Sequence, residues 1–247
     1  SIINIPFVPV LSKLTSFSIS KIDKDKDKDK DKDKDKDNLS ERILIKLFDS
    51  TEDIDSLIDY ENSFRKLYSI IKFVHYEKNI KSIVFTSSVT SEGKSLVVSS
   101  FAIFLAQLGR KVLLIDGDLR KPRLHNLLNI KLEKGFSNLL NDNTLGFENV
   151  INNISNFGQL DFISAGNSLT EPILLFSSTR LKRLMDSLHD STSYDFILID
   201  TPPALICSDA SMISRCCSTS LYIVSLRNVK KNIAIKAAED FTSMNDN

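Results

Sequence analysis

Residues Ser82–Ser95, SIVFTSSVTSEGKS, decide how the rest of the chain is read. A short, mostly apolar run suited to a buried strand leads into a polar loop, and Gly93-Lys94-Ser95 stands where the next helix opens. A strand, a tight loop and a Gly-Lys-Ser at a helix N-terminus form a phosphate cradle. Backbone N–H groups point at the anion there, and the helix dipole favours negative charge. On this reading Ser91, Glu92, Gly93, Lys94, Ser95 and Leu96 surround the phosphates of a nucleotide. Lys94 reaches the β- and γ-phosphates, and the Ser95 hydroxyl sits on Mg²⁺. A Gly-Lys-Ser triplet recurs by chance, so the reading needs acidic partners elsewhere.

Such partners belong at the C-terminal ends of parallel strands, where α/β sites form. Two places qualify. In VLLIDGD (112–118), Asp116 and Asp118 close an apolar run two residues apart, a spacing that puts both on one side of a strand. In FILIDTPP (196–203), Asp200 ends four apolar residues, and Pro202-Pro203 turn the chain out of the sheet. A carboxylate at the mouth of an apolar strand is costly without a partner, and nucleotide-bound Mg²⁺ is the obvious one. One such aspartate is explained as a cap for the helix that follows; two, with a Gly-Lys-Ser on a third strand, indicate a nucleotide site.

The surrounding pattern supplies the scaffold. Apolar strands are expected at Lys81–Phe85, Lys111–Asp116, Leu160–Ser164, Asp195–Asp200 and Ser220–Val224. Helices are expected at Ser95–Leu108, stopped by Gly109, and near Arg180–His189, Asp209–Cys217 and Lys230–Met244. Continuous apolar strands alternating with helices predict an α/β fold, a P-loop NTPase-type parallel sheet with helices on both faces.

Residues 81–247 therefore make the P-loop domain, and three different segments precede it. Residues 1–20 are apolar but interrupted by Pro6 and Pro9, as in an extended tether. Residues 21–38 are nearly pure Lys-Asp alternation, which buries nothing and is expected to be a disordered spacer. Residues 39–80 form a helical arm whose stripe Leu57, Phe64, Leu67, Ile71 and Val74 suits core packing first and a neighbouring subunit second.

The 247 residues, 42% hydrophobic, bury one substantial core, and Lys+Arg and Asp+Glu both total 32. That balance gives no electrostatic case for nucleic acid. Cys207, Cys216 and Cys217 have neither metal-ligand spacing nor an even disulfide count, which suits a reducing compartment. No apolar run reaches the roughly 18–20 residues of a membrane span. The chain begins at Ser1 without Met and stops where an α/β fold normally adds a strand. Both features fit a piece of a longer polypeptide.

GRKVLLIDGDLRKPRLHNLL, FILIDTPPALICSDA and the Gly-Lys-Ser loop together resemble the bacterial tyrosine autokinases of exopolysaccharide and capsule export. The similarity runs from about Asn62 to Ala238 and includes LDFISAGNSLTEP; the early IPFVPVL resembles the tether that leads from a membrane helix to the kinase domain. The resemblance implies an ATP- and Mg²⁺-dependent protein-tyrosine kinase. Lys94 would bind phosphate, Ser95, Asp116, Asp118 and Asp200 would organise the metal, and Asp118 or Asp116 would accept the tyrosine proton. It further implies acceptor tyrosines on the same or a neighbouring subunit, a polysaccharide co-polymerase membrane segment as partner, a homo-oligomer, and a place at the cytoplasmic face of the membrane. Arg120 and Lys121 would steady the acceptor, face a neighbouring subunit, or simply form a solvated basic turn.

The chain departs from that family at several points. Thr90-Ser91 replaces a Pro-Gly, and Ser88 stands at the first glycine of a general phosphate loop, which predicts a strained loop and weaker nucleotide binding. Arg65 keeps the middle of the helical assembly motif, but Asn62 and Tyr68 replace its outer residues and Glu61 lies one position early. Leu174 replaces a glutamate, and the last tyrosine is Tyr222, inside an expected strand. A nucleotide-binding assembly module without phosphoryl transfer is the alternative. A ParA/MinD-like ATPase is a further one, although Val89 stands where that family has its lysine.

Overall fold

The computed structural model describes residues 54–78, 80–225 and 229–244. The tether, the Lys-Asp spacer and the first part of the helical arm lie outside them, as do the side chains of Leu57 and Val74. The described chain runs α1 (Ile54–Lys78), β1 (Ser82–Ser87), α2 (Lys94–Gln107), β2 (Val112–Asp116), α3 (Leu124–Leu127) and α4 (Phe136–Asn141). It continues β3 (Ile151–Asn153), β4 (Leu160–Ile163), α5 (Pro172–Phe176), α6 (Thr179–Asp190), β5 (Phe196–Asp200), α7 (Asp209–Ser214), β6 (Thr219–Ile223) and α8 (Lys231–Ser243).

The strands form one sheet in the order β3-β4-β2-β5-β1-β6. All neighbours are parallel except β3, which pairs antiparallel with β4. This edge adds an unexpected antiparallel strand to the expected parallel sheet. Ile151–Asn153 is too short and polar to show as a strand. The few residues that separate it from β4 cannot make the crossover a parallel pair requires. One correction concerns Cys216 and Cys217, which lie just past α7: the Cys216 and Cys217 N–H groups bond Ile213 and Ser214 carbonyls, three residues back, as the last turn tightens.

Because side chains alternate along a strand, each strand feeds two cores. Ile83, Phe85, Val112, Leu114, Phe162, Phe196 and Leu198 face α1 and α2. Val84, Leu113, Ile115, Ile163, Ile197 and Ile199 face the other way, onto residues such as Leu140, Phe176, Met185 and Ile213. The α1 stripe is core: Phe64, Leu67 and Ile71 are buried, with the Phe64 ring 5.6 Å from Phe101 and 5.9 Å from Phe104. Helix α2 is buried nearly all round and stops where Gly109 turns left-handed at φ 76°, its N–H bonded to the Ala106 carbonyl.

At the end of the sheet opposite the strand C-termini, Ser82 Oγ lies 2.6 Å from His189 Nε2, and Lys81 Nζ donates to the His189 and Ser191 carbonyls. Burial, then the Lys81 charge, hold the imidazole below its ordinary 6.5, while Asp186 and Asp190 act against them. Below that pH the unfolded chain binds the proton more readily than the fold does. Stability is then full above about pH 6.5 and lost as pH falls through the depressed native value. Urea midpoints are expected to decline from about pH 7 to about pH 5, and to decline less steeply in His189→Gln.

Candidate active site

Strand register brings the acidic partners together. β5 lies between β2 and β1, so Asp116 is directly opposite Asp200, and Asp200 is opposite Phe85. In alternation with Leu114 and Leu198, both aspartates fall on the sheet face covered by α2. That helix begins at Lys94 immediately after the loop, so its N-terminus meets both carboxylates.

Backbone contacts fix the three boxes. Thr201 N–H and Oγ1 both donate to the Phe85 carbonyl, at 3.1 and 2.8 Å. Thr86 Oγ1 donates to the Pro202 carbonyl at 2.9 Å, and Gly117 N–H to the Asp200 carbonyl at 2.7 Å. The last bond explains the glycine of Asp116-Gly117-Asp118. A Cβ at Gly117 would sit 2.8 Å from the Asp200 carbonyl oxygen.

Lys94, 6% exposed, donates its ammonium to Asp200 Oδ1 and lies 3.4 Å from Ser95 Oγ. Asp200 Oδ2 is buried with no hydrogen-bond partner. Burial raises the Asp200 carboxyl above the usual range, with Lys94 and Ser95 acting against it. Asp116 is wholly buried and bonded on both oxygens: Oδ1 accepts from the Asp118 N–H (3.3 Å) and Oδ2 from the Leu124 N–H (3.1 Å). Burial, then Asp200, then Asp118 push its pKa well up. Asp116 therefore also caps the start of α3. Asp118 is half-buried just beyond the strand end and accepts the Lys121 N–H at 3.0 Å. Lys121 is exposed.

These geometries sort the expected metal set. The unpartnered Asp200 oxygen and the Ser95 hydroxyl fit a hard cation. Asp116 has both oxygens committed, and Asp118 is engaged by its own turn. Among the described residues no three His, Cys, Asp or Glu side chains are placed to hold a metal by themselves. A divalent ion here takes few protein ligands and needs phosphate and water oxygens for the rest, which is the habit of Mg²⁺.

The loop itself divides the expected strain. Ser88 is buried, and its Oγ accepts the Tyr222 hydroxyl at 3.3 Å; its backbone is not left-handed. Ser91, by contrast, sits at φ 65°, and Gly93 before α2 at φ 82°. The Thr90-Ser91 replacement thus places a side chain where the backbone favours glycine. A left-handed non-glycine residue costs about 1–2 kcal/mol. Glycine returns part of that as unfolded-state entropy, so Ser91→Gly is expected to stabilise the fold by about 0.5 kcal/mol in chemical denaturation. Gly93, at the N-cap of α2, has no side chain to cap the helix, and the first turn carries no acid, which favours an anion at this N-terminus. The Glu92 carboxylate accepts the Val89 N–H within the loop and the Ser225 N–H past β6, so any phosphate contact from Glu92 would come from its backbone.

Sequence reasoning missed the role of Arg120. Its guanidinium makes two bonds to the buried Asp209, 2.8 Å from Nε and 3.1 Å from Nη2, tying the loop that carries Asp118 to the start of α7. No local signal joins two residues 89 positions apart. Arg65 pairs with Glu61 on its own helix.

Residues 80–227 match the family model described as an AAA domain, which together with the fold defines a P-loop ATPase. The chain is 32% identical over 176 residues to the tyrosine-protein kinase YwqD of Bacillus subtilis, covering 71% of this chain and 73% of that protein. It is also 32% identical over 174 residues to the putative tyrosine-protein kinase CapB of Staphylococcus aureus, covering 70% and 75%. The kinase domain of the Escherichia coli tyrosine kinase ETK superposes with a TM-score of 0.70 at 28% identity, over 74% of this chain and 71% of that one. The chain belongs to the bacterial tyrosine-protein kinase family. A MinD ATPase from Pyrococcus horikoshii, at 22% identity and TM-score 0.54 over 66% of this chain and 65% of that one, shares the fold. Among the described residues no helix is long and apolar enough to cross a membrane.

Proposed function

We propose that this chain transfers the γ-phosphoryl group of ATP to tyrosine hydroxyls, with Mg²⁺, as a regulatory kinase of exopolysaccharide or capsule production. The observation that carries the reading is the unpartnered, buried Asp200 oxygen beside the Lys94 ammonium at a helix N-terminus that opens on glycine. Bound Mg²⁺ would be held by Ser95 and Asp200 and would neutralise charge on the phosphates.

The residues then have separate tasks. The N–H groups of Gly93, Lys94, Ser95 and Leu96 line the α2 N-terminus and orient the phosphate chain. Lys94 exchanges its Asp200 contact for phosphate oxygens. Asp118, at the mouth of the site and not locked between two backbone donors as Asp116 is, accepts the proton of the attacking tyrosine. Asp116 holds the turn that presents Asp118. This division suits phosphoryl transfer, which is mostly positioning and charge neutralisation. The acceptor is a tyrosine of the same or a neighbouring subunit, and a polysaccharide co-polymerase membrane segment holds the domain at the cytoplasmic face of the membrane.

A second reading, an ATP-binding assembly module without transfer, is favoured by the left-handed Ser91. Incubating the purified chain with ATP, Mg²⁺ and a tyrosine-bearing acceptor polypeptide separates the two. Phosphotyrosine that is lost with EDTA and in Lys94→Met supports the kinase. ATP binding that Lys94→Met abolishes, with no phosphotyrosine in wild type, selects the module. Phosphotyrosine that persists in Lys94→Met removes this site from the reaction.

A further inference from the structure

We infer that Glu92 is a positioning residue that holds the phosphate-binding loop in its binding shape by closing the turn that Ser91 strains. The inference rests on the nucleotide-binding reading above. Glu92 is 7% exposed, and its two oxygens take different partners. Oε2 accepts the Val89 N–H at 2.8 Å, across the Thr90-Ser91 turn; Oε1 accepts the Ser225 N–H at 2.9 Å, just past the end of β6. One side chain thus closes the turn and ties it to the edge strand.

A carboxylate is an unexpected choice here. Its charge opposes the phosphates the loop is built to receive, and burial raises its pKa. Seating both oxygens on backbone donors, one in the turn and one past β6, limits both costs, because hydrogen bonds to an ionised acceptor are roughly twice as strong as neutral ones. Their placement shows what they stabilise. Ser91 is the third residue of the four from Val89 to Glu92, the position at which a type II turn requires positive φ. Glycine adopts that conformation freely, and serine has to be held in it. Ser87 Oγ, donating to the Val89 carbonyl at 3.0 Å, and the Tyr222–Ser88 contact anchor the strand side of the same turn. The Glu92 bonds offset the strain that the loop carries in place of a glycine.

The test pairs two substitutions in the full chain. Glu92→Gln keeps the size but aims an amide NH₂ where a backbone N–H now donates. It is expected to weaken ATP binding about 10-fold in titration calorimetry. Ser91→Gly is expected to improve wild-type affinity by about 2-fold, and affinity on the Glu92→Gln background by about 5-fold, since a glycine no longer needs the support. An equal gain on both backgrounds, or unchanged ATP affinity in Glu92→Gln, overturns the inference. Hydrogen exchange without nucleotide reads the clamp alone. Faster exchange at Val89 and Ser225, with the β2 and β5 amides unchanged, supports it even if ATP does not bind and the nucleotide reading falls. Unaltered exchange at both amides overturns the clamp while leaving that reading intact.

Discussion

Asp200→Asn is expected to reduce Mg²⁺-dependent phosphotyrosine formation by about 100-fold or more, comparable to removing one electrostatic contact from a preorganised transition-state site. The change keeps the shape of the side chain and its place between β2 and β1. It removes the charge that faces Lys94 and the anionic oxygen left without a partner. Nucleotide binding without metal is expected to survive within about 3-fold, because Lys94 is no longer paired and turns fully to phosphate. Comparing ATP affinity with and without Mg²⁺ in the two proteins checks this. Metal-dependent affinity as strong in Asp200→Asn as in wild type would move the metal off Asp200.

The second large effect concerns stability. Asp209 is fully buried, and the Arg120 guanidinium bonds both of its oxygens. Removing one partner of a buried ion pair costs about 3–5 kcal/mol, because the other charge stays behind unpaired. Arg120 is 38% exposed, so water screens part of the pair and the lower end of that range applies. Arg120→Ala is therefore expected to destabilise the fold by about 3 kcal/mol in equilibrium denaturation. Arg120→Ala combined with Asp209→Asn recovers most of that loss, since the stranded charge is gone. A double variant no better than Arg120→Ala would show that packing of the arginine, not charge, carries the cost.

The sheet was largely legible because its strands are buried on both faces and run as uninterrupted apolar segments, from Val112 to Ile115 and from Phe196 to Ile199. Asp116 and Asp200 were legible for the same reason, as charges that end such runs. The short helices α3, α4 and α5 have four to six residues each, too few for a period to show. Arg120 was read as a basic turn because its partner is remote in sequence. Glu92 was placed among the phosphate contacts because it adjoins Gly93. Only the position of β6 beside β1 reveals its bond to Ser225. For Arg120 and for the Glu92–Ser225 bond the missing information was tertiary.

The position of β1 has a consequence for how the molecule is made. Its two neighbours are β5 and β6, both well over a hundred residues later in the chain, and it never touches β2. A growing polypeptide that has emerged only as far as α6 holds the whole phosphate loop on a strand with neither edge paired. The loop takes shape only after Phe196–Ile223 arrive, at the high entropic cost of closing so long a connection. Until then the segment Ile83–Phe85 is an exposed apolar strand, open to mispairing with another nascent chain.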